Sequence, residues 1–134
     1  MRILIVDDDT TNRLVVRLLM ELRGFVVLEA EGGREAERVL KQEQVDAVFM
    51  DINMPEIDGY ESTRMLRAGV LEDHVPVFAL TSGTSDDARQ ECIKSGMNGF
   101  IKKPFEAAMA ERVHSIMESR GKGTVASSGT WMIG

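Results

Sequence analysis

The sequence predicts an α/β protein, a three-layer α/β/α sandwich around a five-stranded parallel sheet. Three observations lead there. Five short apolar runs, Ile3–Val6, Phe25–Leu28, Val45–Met50, Val75–Leu80 and Phe100–Ile101, are rich in Val, Ile and Phe and show little alternation; strands covered on both faces look this way. The segments between the runs carry apolar residues at helical spacing. The chain has 134 residues, the length of one domain able to bury its own core.

Taken in order, each element has a local reason. The first strand, Ile3–Val6, runs straight into Asp7, Asp8 and Asp9. Val15, Leu18, Leu19 and Leu22 then follow i, i+3, i+4, i+7 as the apolar face of a first helix, with Gly24 as its C′ stop. Asp9 is suited to cap that helix. Ala36, Val39 and Leu40 mark a second helix, and Met65 and Leu66 a third. The third is reached through MPEIDGY, where Asp58 and Gly59 supply the turn and the helix start. Ala88, Cys92 and Ile93 mark a fourth. Met109, Val113, Ile116 and Met117 mark a fifth, with Pro104 near its start, where a missing N–H costs little. Strand–helix alternation of this kind gives a parallel sheet between helices. Right-handed crossovers leave few topologies, and the flavodoxin-like order 2-1-3-4-5 is the natural one. Residues 120–134, RGKGTVASSGTWMIG, break the pattern: four glycines in fifteen residues and no period predict a flexible tail or linker after a domain at residues 1–119.

Composition narrows the function. The chain is 43% hydrophobic and 28% charged, ordinary for a soluble domain. Its one cysteine, Cys92, permits no intrachain disulfide, suits a reducing cytoplasm and reads as core filler. No apolar stretch approaches the ~20 residues that span a bilayer, and the start does not look like a signal peptide, so a cytoplasmic protein without direct membrane contact is expected. A net charge of −6 argues against direct nucleic-acid binding but suits a protein partner with a basic face. His74 and His114 have no ligand partners at a useful spacing.

Ligand sites in open α/β sheets lie beyond the carboxyl ends of the strands, at the point where the strand order reverses. In the predicted order the first and third strands are neighbours there. The first ends in Asp7, Asp8 and Asp9, the third in Asp51, the fourth in Thr81, and the fifth runs into Lys102, Lys103 and Pro104. Carboxylates so close raise one another's pKa unless a cation joins them. A hard divalent ion such as Mg²⁺, with oxygen ligands, answers that need. A lysine and a threonine hydroxyl on the same rim suit a phosphoryl group, whose transfer needs positioning and charge neutralisation.

VDDD, MDINMPEIDGYE, ALTSG and IKKPF, in that order and each at a strand end, resemble the receiver domain of two-component response regulators. The resemblance covers about residues 1–119. It implies that Asp51 is the phosphoacceptor, that Asp7 and Asp8 bind Mg²⁺ with the Asn53 carbonyl as a further ligand, and that Thr81 and Lys103 meet the phosphoryl oxygens. Phe100 stands at the position of the family's switch aromatic. It lacks a tyrosine hydroxyl, so it can act by packing only. The implied role is that of a signalling domain, not an enzyme, with self-catalysed phosphorylation and dephosphorylation. The implied donor is a histidine kinase or histidine phosphotransfer protein. A downstream protein would read the face of the fourth helix, fifth strand and fifth helix, and a phosphorylation-linked homodimer would use the same face. The domain could stand alone or belong to a longer chain such as a hybrid histidine kinase. A second parse of DDDTT, with Asp7 and Asp9 two residues apart and Asp86–Asp87 as a later acidic pair, resembles an Mg²⁺-dependent haloacid-dehalogenase-type phosphatase with Asp7 as nucleophile. In it Lys103 follows the acidic pair instead of preceding it, and MDINMPEIDG has no role.

Overall fold

Each apolar run becomes a strand, displaced by a residue or two where polar neighbours complete the ladder. The computed structural model of the chain describes residues 1–83, 85–121 and 131–133. Strands β1 (Arg2–Val6), β2 (Val26–Ala30), β3 (Ala47–Asp51), β4 (Val77–Thr81) and β5 (Gly99–Lys102) alternate with helices α1 (Thr10–Glu21), α2 (Gly33–Gln42), α3 (Gly59–Ala68), α4 (Asp86–Ser95) and α5 (Ala107–Gly121). All adjacent strands are parallel, in the expected order β2-β1-β3-β4-β5. The central strands β3 and β4 are buried at every position, which explains their unbroken apolar runs.

Side chains alternate across a strand, so the sheet divides the core in two. Ile3, Ile5, Phe49, Phe78 and Ile101 point to one side, against Val16 and Met20 of α1 and Val113 and Met117 of α5. Leu4, Val6, Val48, Met50 and Phe100 point to the other, against Ala36, Leu66 and Cys92 of α2, α3 and α4. Phe49 and Phe78 meet edge to face at 5.8 Å, a geometry worth about 1 kcal/mol beyond the area it buries.

Helix starts are capped as their residue types dictate. Asp9 accepts the N–H groups of Thr11 and Asn12, Asp58 that of Glu61, and Ser85 that of Ala88. Gly24 takes a left-handed φ of 88° three residues past the end of α1. Pro104 lies before α5 rather than in its first turn, since that helix begins only at Ala107.

Two expectations need correction. The predicted apolar face of α1 is largely the exposed one: Val15, Leu18 and Leu22 are 38, 53 and 83% exposed, and the buried residues are Arg13, Val16 and Met20. The helix carries two apolar stripes; Val16 and Met20 face the core, with Leu19 of the predicted face packed beside them, and Arg13 on that side pairs with Glu29 on β2. The sheet also has a sixth strand. Trp131–Ile133 (β6) pairs in parallel with β5, with Gly99 opposite Trp131 and Ile101 opposite Ile133. Part of the expected tail therefore lies on the sheet, because β5 would otherwise leave a row of peptide groups unpaired. The expected domain end at residue 119 falls inside α5, and the rest of that tail, residues 122–130 and 134, lies outside the described residues.

Candidate functional site

The register of the sheet assembles the site. Val6 is paired with Met50, so the residues that follow each, Asp7 and Asp51, emerge side by side at the carboxyl ends of neighbouring strands. Asp51 is itself opposite Leu80, and Thr81 is opposite Lys102, which brings Thr81 and Lys103 to the same rim. Carboxylate oxygens of Asp7, Asp8 and Asp51 all lie within 4.8 Å of one another. Asp7 is fully buried, Asp51 is 2% exposed, and Asp8 is open to solvent.

Each carboxylate is held differently. Lys103 Nζ donates to Asp51 Oδ1 at 2.8 Å, and the Asn53 N–H meets the same oxygen at 3.3 Å. Asp7 Oδ1 accepts the Asp9 N–H at 2.9 Å, while its Oδ2 is buried without a hydrogen-bond partner among the described residues. Burial pushes the Asp7 carboxyl up to about 6; the Asp9 N–H opposes the rise, the Asp51 charge adds to it, and the Lys103 charge pulls it back. The rim is thus short of positive charge, and a buried carboxylate oxygen without a donor is where a cation is favoured. The donor set is all oxygen and includes no sulfur or imidazole, which suits Mg²⁺ over the softer transition metals.

Other predicted residues fall into place with differences. Thr81 is buried at the rim, where its Oγ1 accepts the Gly83 N–H and donates to the Gly83 carbonyl, both at 3.1 Å. Phe100 is 2% exposed and packed in the core beneath α4. Its ring sits inside, and without a hydroxyl it has no polar tip to keep in water. Lys102 is exposed and Cys92 is buried. The phosphatase parse fails at Asp9, which is exposed and whose carboxylate caps α1, and Asp86 and Asp87 lie in the first turn of α4.

Two residues escaped the sequence. Arg13 is buried and donates to the Asp7 carbonyl at 2.6 Å. A charge at i, i+3, i+7 with Val16 and Met20 was its only trace. Gly59 packs so tightly on the end of β3 that a Cβ there would strike the Asp51 carbonyl oxygen. Beside the rim, between α1 and the segment after β5, a 290 Å³ cavity is lined by Asp7 and Lys103 at one end and by Val15, Val16, Leu80 and Phe105.

Comparison with known proteins agrees with this geometry. A family model described as response regulator receiver domain matches residues 3–115. Histidine kinase 3 of Arabidopsis thaliana is 38% identical over 132 residues, which cover 83% of this chain and 13% of the kinase. The transcriptional regulatory protein PrrA of Mycobacterium bovis is 35% identical over 134 residues, 99% of this chain and 57% of that protein. The chain therefore spans only a fraction of these relatives. Among solved structures, the receiver domain of the sensor histidine kinase PA1611 from Pseudomonas aeruginosa, which has a magnesium ion coordinated in its active-site cleft, superposes with a TM-score of 0.77 at 33% identity. That match covers 87% of this chain and 95% of the other. The Vibrio cholerae chemotaxis protein CheY4 gives a TM-score of 0.78 at 29% identity, covering 87% and 95%.

Proposed function

Because the chain belongs to the response regulator receiver domain family, we propose that Asp51 is its phosphoacceptor and that Asp7, Asp8, Asp51 and the Asn53 carbonyl hold Mg²⁺. As a receiver domain it is a signalling module of a two-component system. The observation that carries the assignment is the 2.8 Å pair of Lys103 with a buried Asp51, set within a carboxylate trio.

The chemistry follows from what holds each oxygen. Both hydrogen bonds to Asp51 among the described residues fall on Oδ1, which leaves Oδ2 to attack the phosphorus of a donor phosphohistidine. The new O–P bond forms as the P–N bond breaks, and its electron pair returns to the imidazole. Lys103 is placed to follow the charge from the carboxylate to the phosphoryl oxygens. When bound, Mg²⁺ supplies further neutralisation of those oxygens. Thr81 would exchange its bonds to Gly83 for one to the phosphoryl group. That exchange would pull on the turn leading into α4 and shift the face of α4, β5 and α5. Phe100, packed beneath α4 at the position of the family's switch aromatic, would respond by packing to the space Thr81 leaves. A downstream protein or a second copy would read that face, along which β6 now lies.

The donor is a histidine kinase or a histidine phosphotransfer protein in the cytoplasm. Its phosphohistidine would reach Asp51 over the cavity between α1 and Phe105, with the exposed Leu14 and Leu18 of α1 and Leu22 at its C-terminal end as the apolar landing surface. No helix among the described residues is long and apolar enough to cross a membrane.

The test is chemical mapping. The chain is incubated with acetyl phosphate or phosphoramidate and Mg²⁺, and the acyl phosphate is trapped by reduction and located by peptide mass. Label is expected on Asp51 and absent from Asp51→Asn. Label on Asp7, or undiminished label in Asp51→Asn, overturns the assignment.

A further inference from the structure

We propose that Arg13 is a positioning residue for the cation site, holding the Asp7 backbone so that the free Asp7 oxygen stays with those of Asp8 and Asp51, and that it thereby sets the affinity for Mg²⁺. The proposal rests on the Mg²⁺ site described above and adds a residue that touches none of the reacting atoms.

The geometry is a chain of charges that ends on the Asp7 peptide. Arg13 lies one turn into α1, yet its side chain folds back under the β1–α1 turn. Nη1 donates to the Asp7 carbonyl at 2.6 Å, Nε to Glu29 Oε1 at 3.0 Å, and Nη2 to Thr10 Oγ1 at 3.4 Å. Glu31 approaches Nη2 at 3.8 Å. Glu29 is held in turn by Arg17, whose Nη1 meets Oε2 at 2.6 Å. On its other side, the Asp7 N–H donates to the Ala30 carbonyl at 3.1 Å. Both peptide groups of Asp7 are therefore pinned, and Asp9 takes up Oδ1. Of the Asp7 polar atoms, Oδ2 is left among the three carboxylates, buried and without a hydrogen-bond partner among the described residues. A planar fork can serve a carbonyl and a carboxylate at once, which is why arginine suits the position.

The direction of the effect separates positioning from charge. The guanidinium carries a positive charge close to a cation site, so losing the charge alone would tighten Mg²⁺ binding. Losing the brace would weaken it, and groups that orient a metal ligand commonly control affinity by about 10–100-fold. Mg²⁺ affinity is measured by calorimetry on the unmodified chain, Arg13→Met and Arg13→Lys, each well below its own unfolding temperature in the absence of metal. Arg13→Met is expected to bind about 10–100-fold more weakly. Arg13→Lys, which keeps a donor for the Asp7 carbonyl, is expected to recover most of the loss. An Arg13→Met chain that binds Mg²⁺ as tightly as the unmodified chain, or more tightly, overturns the proposal whatever its thermal stability. Should Arg13→Met not fold, Arg17→Met decides, since it frees Glu29 and also removes a positive charge: weaker Mg²⁺ binding supports the brace, and unchanged or tighter binding overturns it. Failure of the unmodified chain to bind Mg²⁺ would instead remove the underlying site.

Discussion

Lys103 Nζ sits 2.8 Å from Oδ1 of Asp51, so the ammonium is paired with the proposed nucleophile before any phosphoryl group arrives. Lys103→Met should therefore slow labelling by acetyl phosphate and also destabilise the resting chain. The Lys103 side chain is 27% exposed, so the loss of stability at pH 7.5 should be about 1–2 kcal/mol, below that of a fully buried pair. The deficit should shrink toward pH 5, as Asp7, whose carboxylate the Lys103 charge also favours, takes up its proton. Urea unfolding at the two pH values checks this, and equal deficits at both would count against the pairing.

Asp7 should make the metal-free chain less stable as pH rises. Its carboxyl ionises near pH 3.8 when unfolded and near 6 when folded. Between those values the folded chain holds the proton that the unfolded chain has released, so stability falls as pH climbs through that window. The full contribution is about 3 kcal/mol, complete above pH 6 and absent below pH 4. Asp7→Asn should accordingly stabilise the metal-free protein at pH 7.5 and gain little at pH 4. A stability difference that does not change with pH would contradict the assignment.

Magnesium should reverse that preference. At about 100 times its dissociation constant, Mg²⁺ is expected to stabilise the unmodified chain by about 2.7 kcal/mol. It should do far less for Asp7→Asn. Thermal unfolding with Mg²⁺ and with chelator measures the difference, and a shift of equal size in both chains would place the ion elsewhere.

Gly59→Ala should destabilise even though alanine is the better helix former. The substitution gains up to about 1 kcal/mol in propensity. Its Cβ would press on the Asp51 carbonyl oxygen and on Ile52 Cα, neither of which can yield without moving β3. Overpacking of that kind costs about 1–3 kcal/mol. A net loss in urea unfolding and slower labelling of Asp51 are expected; a gain in stability would show that the contact relaxes freely.

Leu18→Glu should separate docking from chemistry. Leu18 is 53% exposed, so stability should change by less than about 0.5 kcal/mol. Labelling by acetyl phosphate should be unchanged, while transfer from a phosphorylated histidine donor should slow about tenfold, equivalent to about 1.4 kcal/mol of lost binding. Equal transfer rates would move the donor to another surface.

Much of this protein is written in short-range order. Parallel strands buried on both faces must be apolar throughout, so Val45–Met50 and Val75–Leu80 could be read as strands without knowing their neighbours. Chain alternation then left few topologies, and the strand ends named Asp7, Asp8, Asp9, Asp51, Thr81, Lys102 and Lys103, among which the family resemblance picked out Asp7, Asp8, Asp51, Thr81 and Lys103. Asp9 was legible as a cap, and Asp58 as a turn and helix start, because such residues bond to groups two or three residues away.

The tertiary structure decided what depends on partners distant in sequence. Helix α1 has two apolar stripes, and periodicity cannot choose between them; in the fold Val16 and Met20 pack on the sheet, and Arg13 beside them pairs with Glu29, sixteen residues on. Arg13 is thereby buried, while Leu14 and Leu18 face solvent on the side offered to a donor. Gly59 looked like a turn residue until the end of β3 lay against it, and Trp131–Ile133 looked like tail until the edge of β5 offered a ladder. The chemistry could be read in the sequence because each residue type announces what it does. Its orientation could not, because a buried face, a close approach or a strand partner is a property of two surfaces, and the second is known only once the chain has folded.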